Sequence, residues 1–552
     1  MLYTPFIILY FLTSVSCAIP GVPAIDWADR NYAIVNVNPE ATAYETLVTV
    51  NQHVDVPVVW NVWTGDVGDM AYVLFNDKQV WKGDAKIKQA TVRIDRGGLY
   101  NMQIKLCNAD GCSVSKSVLV KVADTDGKHL APLDYVWLEN NQANRRLDKT
   151  IAAYFVEWGV YGRHFSVDKI PLPNLSHLLY GFIPICGGHG INDALKTIPG
   201  SFEALQKSCK NRADFKITIH DPWAAVHKPQ KGVFAWNEPY KGNFGQLMAA
   251  KLANPYLKIL PSIGGWTLSD PFYFMYDNKN RIVFVESVKE FLLTWKFFDG
   301  VDIDWEFPGG KGANPLLGDV LRDAKTYVTL LQELRVMLNH LEMQTNRVYE
   351  LTSAISAGYD KIAVVNYNEA QKSLNKIFLM SYDFKGAWSN TDLGYQTTVY
   401  APNWNPKELY TTHHAVDALL KQNVDPAKII IGVAMYGRGW TGVTNYTDGN
   451  YFLGVGNGPV SGTWEPGVVD YRQICNERDN YVYTFDSHAQ AAFVFNKNKG
   501  DLITFDSVDS VLAKVQYVDR NRLGGLFAWE IDADNGDLLN AMNAQYKLNE
   551  EL

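Results

Sequence analysis

Positive charge is in short supply in this sequence. Its 51 lysine and arginine residues are outnumbered by 59 aspartate and glutamate residues, which leaves a net charge of −8. Nucleic acids and anionic membrane surfaces attract an excess of positive charge, so the composition argues against both as partners. Beyond its amino terminus the sequence also lacks any apolar run long enough to span a membrane.

Cysteine is scarce, with six residues among 552. They form no C-x-x-C pair with a matching set of histidines, so we predict no metal site of that kind. The stretch "CNADGC" brings Cys107 and Cys112 together across a turn-rich loop, and Cys186 and Cys209 are the next plausible pair. Four cysteines allow three connectivities, so the pairing stays open, and Cys475 is left over.

Both ends of the chain carry features of secretion. The apolar start "MLYTPFIILYFLTSVSCA" is too short to span a bilayer comfortably and ends in small residues, which predicts a signal peptide over residues 1–17. Sequons occur at Asn174 and Asn445. The last residues, "NEEL", resemble the K-D-E-L retention signals, with an ordinary acidic tail as the alternative. We therefore expect the secretory pathway: the endoplasmic-reticulum lumen, with a retention receptor as partner, or secretion.

A chain of 552 residues is too long for one ordinary core, so we expect two or more domains. Short alternating runs separated by turn residues fill residues 18–128, which predicts an immunoglobulin-like or fibronectin III-like β-sandwich of seven strands. A polar stretch over residues 129–148 is predicted to be a linker or hinge.

The pattern changes over residues 149–552, where eight apolar runs alternate with segments that can hold helices. This pattern predicts a (β/α)8 barrel. More than eighty residues separate the last two runs, far more than one crossover helix needs, and they include β-like stretches. We therefore predict an inserted α+β subdomain at about 439–508 that raises one wall of a cleft. The eight runs are "IAAYFVEW", "HLLYGFIPIC", "LKILPSIGGW", "GVDIDWEF", "ELTSAISA", "KIFLMSYDF", "KIIIGVAMYGRGW" and "GGLFAWEID".

The fourth run holds an unusual set of carboxylates. Side chains two residues apart on a strand share a face, so Asp302, Asp304 and Glu306 point to the barrel interior or its mouth, whereas Asp299 is out of register and helps the strand begin. Repulsion and burial would keep Glu306 protonated near neutral pH. A Mg²⁺ or Mn²⁺ site and a structural network tied down by Arg or Tyr are the alternatives. Against the metal, the other strand ends carry aromatic residues and no His or Asp cluster.

Four motifs resemble those of glycoside hydrolase family 18, and they follow one another along the chain in the order found in that family. The whole chain is similar to the bacterial chitinase A group within that family, and its two ends make it more similar still to the baculovirus chitinases. The motifs are "DGVDIDWE" at Asp299–Glu306, "SIGGW" at Ser262–Trp266, "MSYDF" at Met380–Phe384 and "GGLFAWEID" at Gly524–Asp532.

The resemblance implies substrate-assisted, retaining hydrolysis of chitin and chitooligosaccharides by a monomer without a cofactor, and a role in degrading chitin of an insect host. Glu306 would be the general acid, and Asp304 would turn between Asp302 and the substrate to hold its acetamido N–H. Tyr382, helped by Asp383, would bind the acetamido carbonyl. The implied substrate-binding residues are Trp158, Trp266, Phe307, Met380, Trp388, Tyr436, Arg438, Trp464, Glu465 and Trp529.

The resemblance also implies a surface path of aromatic rings that guides a chitin chain, formed by Trp27, Trp60 and Trp236. The alternative for Trp60 is the buried core tryptophan of the sandwich. Two other functions were weighed for the whole chain. A chitin-binding lectin without hydrolytic activity usually lacks the terminal Glu, which is present here, and a metal-dependent hydrolase would lose activity in EDTA.

Overall fold

A computed structural model describes residues 18–26, 29–137, 140–447 and 449–545. The chain forms two units, Met1–Asn36 with Val50–Asp124 and Val37–Thr49 with Thr125–Leu552. The predicted signal peptide, Trp27 and the NEEL tail lie outside the described residues. None of the described helices combines the length and apolarity needed to cross a membrane.

The first unit is built from β-sheet, as predicted. One sheet has the order β1-β5-β8, and a larger one has the order β2-β11-β9-β6-β7 with β10 paired to β9. The short strands β3 and β4, where the chain passes between the two units, pair with each other. The strands are β1 Pro23–Ile25, β2 Asn31–Ala33, β3 Val35–Val37, β4 Val48–Val50, β5 Val54–Val62, β6 Met70–Phe75, β7 Lys78–Asp84, β8 Gln89–Ile94, β9 Gly98–Asn108, β10 Gly111–Val114 and β11 Val118–Ala123.

Strand β5 shows why this region folds as sheet, and it corrects one prediction. Val56, Val58 and Trp60 alternate with outward residues and point into the core. Trp60 is 0% exposed and its ring lies edge-on to that of Trp81, at 6.2 Å between centroids. The placement of Trp60 on a chitin-guiding surface was therefore wrong, because a ring inside the core cannot stack on a sugar chain. Trp63, just after the strand, is 77% exposed.

The second unit contains the predicted barrel. All eight apolar runs form its parallel strands, which close in the order β12 to β18 and then β24. Their near-continuous burial explains the near-continuous apolar runs in the sequence. The strands are β12 Thr150–Val156, β13 His177–Ile183, β14 Lys258–Gly264, β15 Gly300–Asp304, β16 Glu350–Ser356, β17 Lys376–Met380, β18 Ile429–Ala434 and β24 Gly525–Trp529.

The helices of the second unit vary widely in length. The long helices α4 and α5 are capped at their amino ends by Asp277 and Asp319, whose carboxylates accept hydrogen bonds from main-chain N–H groups of the first turn. The helices are α1 Tyr44–Leu47, α2 Ser201–Ser208, α3 Gly242–Ala253, α4 Asn278–Thr294, α5 Val320–Thr345, α6 Tyr359–Ile362, α7 Tyr367–Ala370, α8 Thr412–Lys421, α9 Tyr471–Asn476, α10 Val508–Arg520 and α11 Asp537–Met542.

The inserted subdomain is an antiparallel five-stranded sheet with one short helix, α9, between strands β18 and β24 of the barrel. Its strand order is β20-β19-β23-β22-β21. Its core is aromatic and includes Trp440, Phe452 and Phe493. The strands are β19 Tyr436–Trp440, β20 Val468–Asp470, β21 Val482–Asp486, β22 Ala491–Asn496 and β23 Asp501–Phe505.

Both expected disulfides are present, Cys107–Cys112 and Cys186–Cys209, and Cys475 is free. The two sequons differ sharply in access. Asn174 is 1% exposed and its Nδ2 donates to the Gln142 carbonyl at 2.6 Å. Asn445 is exposed on a loop of the insertion. Only Asn445 could therefore carry a glycan on the folded chain.

Candidate active site

Asp302 lies inside the barrel, where three hydroxyl groups hold its carboxylate. Tyr154 and Ser262 donate to Oδ2 at 2.9 and 2.7 Å, and Thr352 donates to Oδ1 at 2.6 Å. Burial raises the pKa of Asp302, and the three hydrogen bonds oppose that shift. Both oxygens of the Asp302 carboxylate are therefore engaged by the protein. Among the described residues no group of three His, Cys, Asp or Glu side chains could hold a metal ion.

Asp304 and Glu306 continue the same face toward the carboxyl end of β15. Asp304 is buried, and its Oδ1 has no hydrogen-bond partner within the described chain. Burial, followed by the charges of Glu306 and Asp302, raises the pKa of Asp304 well above its ordinary value. Burial and the Asp383 charge raise the pKa of Glu306 to about 8. This shift favours the protonated form of Glu306 near neutral pH, the form that the sequence pattern also favours.

The "SIGGW" motif fixes the end of this strand. A Cβ on Gly264 would lie 2.1 Å from the Asp304 carbonyl oxygen, and the residue has a φ of +110°, so only glycine fits. The Gly265 N–H donates to the same oxygen at 2.8 Å. Ser269 Oγ accepts the Glu306 N–H at 2.9 Å. These contacts determine where the main chain of the acidic strand leaves the barrel.

Tyr382 and Asp383 follow strand β17. The Tyr382 ring is almost buried, and the Cβ of any larger residue at Gly432 would lie 2.7 Å from its Cε1. Asp383 accepts from the Tyr436 hydroxyl at 2.6 Å and binds both Nε and Nη2 of Arg438. The structure thus brings the predicted residues Asp383, Tyr436 and Arg438 into direct contact, beside Tyr382 in the chain.

A cluster of aromatic rings lies at the carboxyl ends of β12, β13 and β24. Trp529 stacks on Phe182 with centroids 5.6 Å apart and lies edge-on to Tyr154 at 5.3 Å. Phe182 also meets the half-exposed Trp158 at 6.4 Å. Phe182 was not predicted, because an aromatic residue inside an apolar strand carries no motif. Its place in the run "HLLYGFIPIC" was the available signal.

A second group of aromatic rings, with a lysine beside it, lies beyond the end of β15. Trp266 is half-exposed and its ring lies 6.3 Å from that of Phe307. Lys361 places its Nζ 5.1 Å from the Phe307 ring and donates to the Gly310 carbonyl at 2.8 Å. Burial lowers the pKa of Lys361 to about 8. Lys361 was not predicted, since it lies in the short helix α6, which carries no family motif.

The remaining predicted residues are spread over the insertion and several segments of the barrel unit. Trp464 is half-exposed, and its Nε1 donates to Asp470 at 3.1 Å, while Arg163 lies 5.5 Å from its ring. Trp388 is exposed beside Arg438, and Glu465 is exposed on the loop before β20. Met380 is partly buried and packs against the barrel core. Trp236 is 90% exposed in the long segment between β13 and β14.

Sequence comparison matches residues 150–534 to the family described as "Glycosyl hydrolases family 18" and residues 17–148 to "Chitinase A, N-terminal domain". The chain is 78% identical to "Chitinase" of Autographa californica nuclear polyhedrosis virus, with full coverage of both chains. It is 47% identical to "Chitinase A" of Pseudoalteromonas piscicida, over 98% of this chain and 70% of that protein.

Comparison with solved structures gives the same picture. "Chitinase ChiA74 from Bacillus thuringiensis" superposes with a TM-score of 0.64 at 27% identity, covering 73% of this chain and 71% of that chain. The Ostrinia furnacalis Group IV chitinase in complex with allosamidin superposes with a TM-score of 0.58 at 26% identity, covering 72% and 98%.

Proposed function

The chain belongs to glycosyl hydrolase family 18 and is a chitinase, and from this premise we propose that Glu306 is the general acid of a substrate-assisted, retaining hydrolysis. Glu306 protonates the glycosidic oxygen as the bond to the leaving sugar breaks. The carbonyl oxygen of the substrate's own acetamido group attacks the anomeric carbon and forms an oxazolinium ion. Glu306, now ionised, accepts a proton from the water that opens this ring, so the configuration is retained.

The observation that carries this proposal is the state of the other two carboxylates. A protein nucleophile must be ionised and must reach the anomeric carbon. Asp302 is buried with both oxygens engaged by hydroxyl groups, and Asp304 is buried with a strongly raised pKa. Neither is suited to attack, which supports a nucleophile supplied by the substrate.

The acetamido group must then be oriented by the protein. The unpartnered Oδ1 of Asp304 is a free acceptor for the acetamido N–H, which strengthens the nucleophilic carbonyl oxygen. Tyr382 has its hydroxyl as a donor for that oxygen, and its ring is held beside Gly432. The Asp383–Arg438 pair fixes the residue next to Tyr382. The ring cluster of Trp529, Phe182 and Trp158 offers apolar faces on which sugar rings stack.

Substrate choice and product stereochemistry test this mechanism together. We expect chitooligosaccharides to release the β-anomer first, seen by NMR before mutarotation. Cellulose oligomers and fully deacetylated chitosan oligomers lack the attacking carbonyl and should not be cut. Partly acetylated oligomers, sequenced after digestion, serve as the matched control and should be cut only after N-acetylated units. First release of the α-anomer, or cleavage of chitosan at rates near those of chitin, would reveal a nucleophile in the protein or in water.

We further propose that the chain enters the secretory pathway and that its NEEL tail retains it there. Resemblance of the tail to K-D-E-L signals and the exposed Asn445 sequon support this. Deleting Asn549 to Leu552 should move enzyme from the lysate to the medium of insect cells, while replacing NEEL with KDEL should keep it inside. Peptide-N-glycosidase should lower the mass of the chain, but not that of Asn445→Gln. An unchanged distribution after the deletion would identify NEEL as an ordinary tail.

A further inference from the structure

A lysine on α10 lies completely buried against strand β18, next to the segment that leads into Tyr382. The side chain of Lys514 is 0% exposed, and its Nζ donates to Asp506 at 2.6 Å, Thr397 at 2.7 Å and the Gly432 carbonyl at 2.8 Å. Its three N–H donors are matched by three acceptors. A buried charge is costly even when it is paired, and an apolar side chain would fill this space more cheaply. Packing alone therefore does not explain why a charged side chain occupies this position.

The acceptors of Lys514 lie where the barrel ladder stops. Strands β17 and β18 pair only as far as Leu379 and Ile431. Beyond that point side chains replace the ladder: the Gly432 N–H donates to Ser381 Oγ at 2.9 Å, and Thr397 Oγ1 donates to the Ser381 carbonyl at 2.8 Å. Lys514 binds both Gly432 and Thr397, and so it closes this small network.

The network touches the active site on two sides. Ser381 immediately precedes Tyr382, whose ring lies against Gly432, the residue whose carbonyl Lys514 binds. The partner Asp506 accepts the Ala434 N–H at 2.9 Å, two residues before Tyr436. A shift of Gly432 would therefore move the surface on which the Tyr382 ring rests.

We propose that Lys514 is a positioning residue for Tyr382, acting through Gly432 and through the Thr397–Ser381 link. This inference rests on the proposed role of Tyr382 toward the acetamido group. Displacing an oriented group by about 1 Å costs up to about 100-fold in rate. Loss of Lys514 should therefore lower kcat while sugar binding by the exposed aromatic residues, and hence KM, stays nearly unchanged.

The test uses a variant that leaves no buried charge. Lys514→Met alone would strand the Asp506 carboxylate, whereas Lys514→Met with Asp506→Asn is neutral and keeps an acceptor for the Ala434 N–H. We expect this double variant to be folded, with kcat on a chitooligosaccharide lowered about 10- to 100-fold and little change in KM. Lys514→Arg, with Asp506 unchanged, keeps the charge and its donors, and its kcat should fall less than that of the double variant. Thr397→Val is a milder second variant and should lower kcat in the same direction.

Combination with Tyr382→Phe separates positioning from a structural role. If Lys514 acts through Tyr382, Tyr382→Phe should cost much less in the double variant than in the wild-type chain. Asp519 lies on the same helix as Lys514 and pairs with Arg146, which precedes β12. Asp519→Asn is therefore the matched control and should lower the melting temperature without changing kcat. Wild-type kcat in the double variant, or an equal cost of Tyr382→Phe in both backgrounds, would overturn the inference. An unchanged kcat for Tyr382→Phe in the wild-type chain would instead overturn the proposed role of Tyr382.

Discussion

Replacing Glu306 with Gln should abolish nearly all hydrolysis while leaving the fold and chitin binding intact. Gln has the shape of a protonated Glu and keeps the hydrogen-bonding capacity of the site, but it cannot transfer a proton to a leaving oxygen. A positioned general acid contributes about 10²–10⁴-fold to the rate, so kcat should fall by that factor. The raised pKa of Glu306 makes the neutral amide a close mimic of the resting side chain.

A second carboxylate serves as the control for this experiment. Glu350 lies at the opposite end of the barrel, at the start of β16, where it pairs with His177 and Lys376. Despite its burial, these partners lower the pKa of Glu350 to about 2, so it is ionised and structural. Glu350→Gln should lower the melting temperature and leave kcat nearly unchanged. If Glu306→Gln turned over chitooligosaccharides at a comparable rate, another group would have to be the acid.

The barrel and its acidic site could be predicted because each leaves a local pattern in the sequence. Buried parallel strands appear as continuous apolar runs, and eight of them with room for helices leave few alternatives. The acidic strand was readable for the same reason, since Asp302, Asp304 and Glu306 break an apolar run at every second position. Period-two spacing alone places such residues on one face.

Residues whose role depends on distant contacts could not be found in this way. Phe182 and Lys361 carry no motif, and they belong to the site only because segments far apart in sequence converge there. Lys514 looks like one more polar residue of an amphipathic helix, and its burial against Gly432 appears only when the barrel is closed. The roles of such residues depend on packing between segments that are distant in the sequence.

The error at Trp60 is different, because the sequence contained the signal. Val56, Val58 and Trp60 share one face of β5, and that face is the apolar one. Trp63, three residues after Trp60, cannot lie on the same face of an extended strand. The sandwich core therefore takes the first ring of "VVWNVW" and leaves the second in solvent. The placement of Trp60 at the surface followed the family resemblance, although the alternation of apolar and polar residues along β5 already indicated a buried ring.

This assignment predicts a large loss of stability for Trp60→Ala. Truncation of a core tryptophan costs about 3–5 kcal/mol, and for a unit of this size that lowers the melting temperature by on the order of 10 °C or more. Trp60→Phe should cost much less, because it keeps a large ring and removes an Nε1–H that has no partner among the described residues. Calorimetry of the full chain measures both. A melting temperature equal to that of the wild type in Trp60→Ala would contradict the core assignment.

The exposed rings should show the opposite behaviour, and this separates core from surface. We propose that Trp63 and Trp236, each on its own unit, hold a crystalline chitin chain by stacking. Trp63 takes the role that the family resemblance had implied for Trp60. A ring–sugar stacking contact is worth on the order of 1 kcal/mol, which is about fivefold in affinity. Trp63→Ala and Trp236→Ala should therefore lower the rate on crystalline chitin several-fold and leave the rate on soluble oligosaccharides and the melting temperature nearly unchanged. Trp60→Phe, which keeps the fold and touches no exposed surface, should match the wild-type chain on both substrates. Equal losses on crystalline and soluble chitin in Trp63→Ala or Trp236→Ala would show that the ring does not act by guiding the chain.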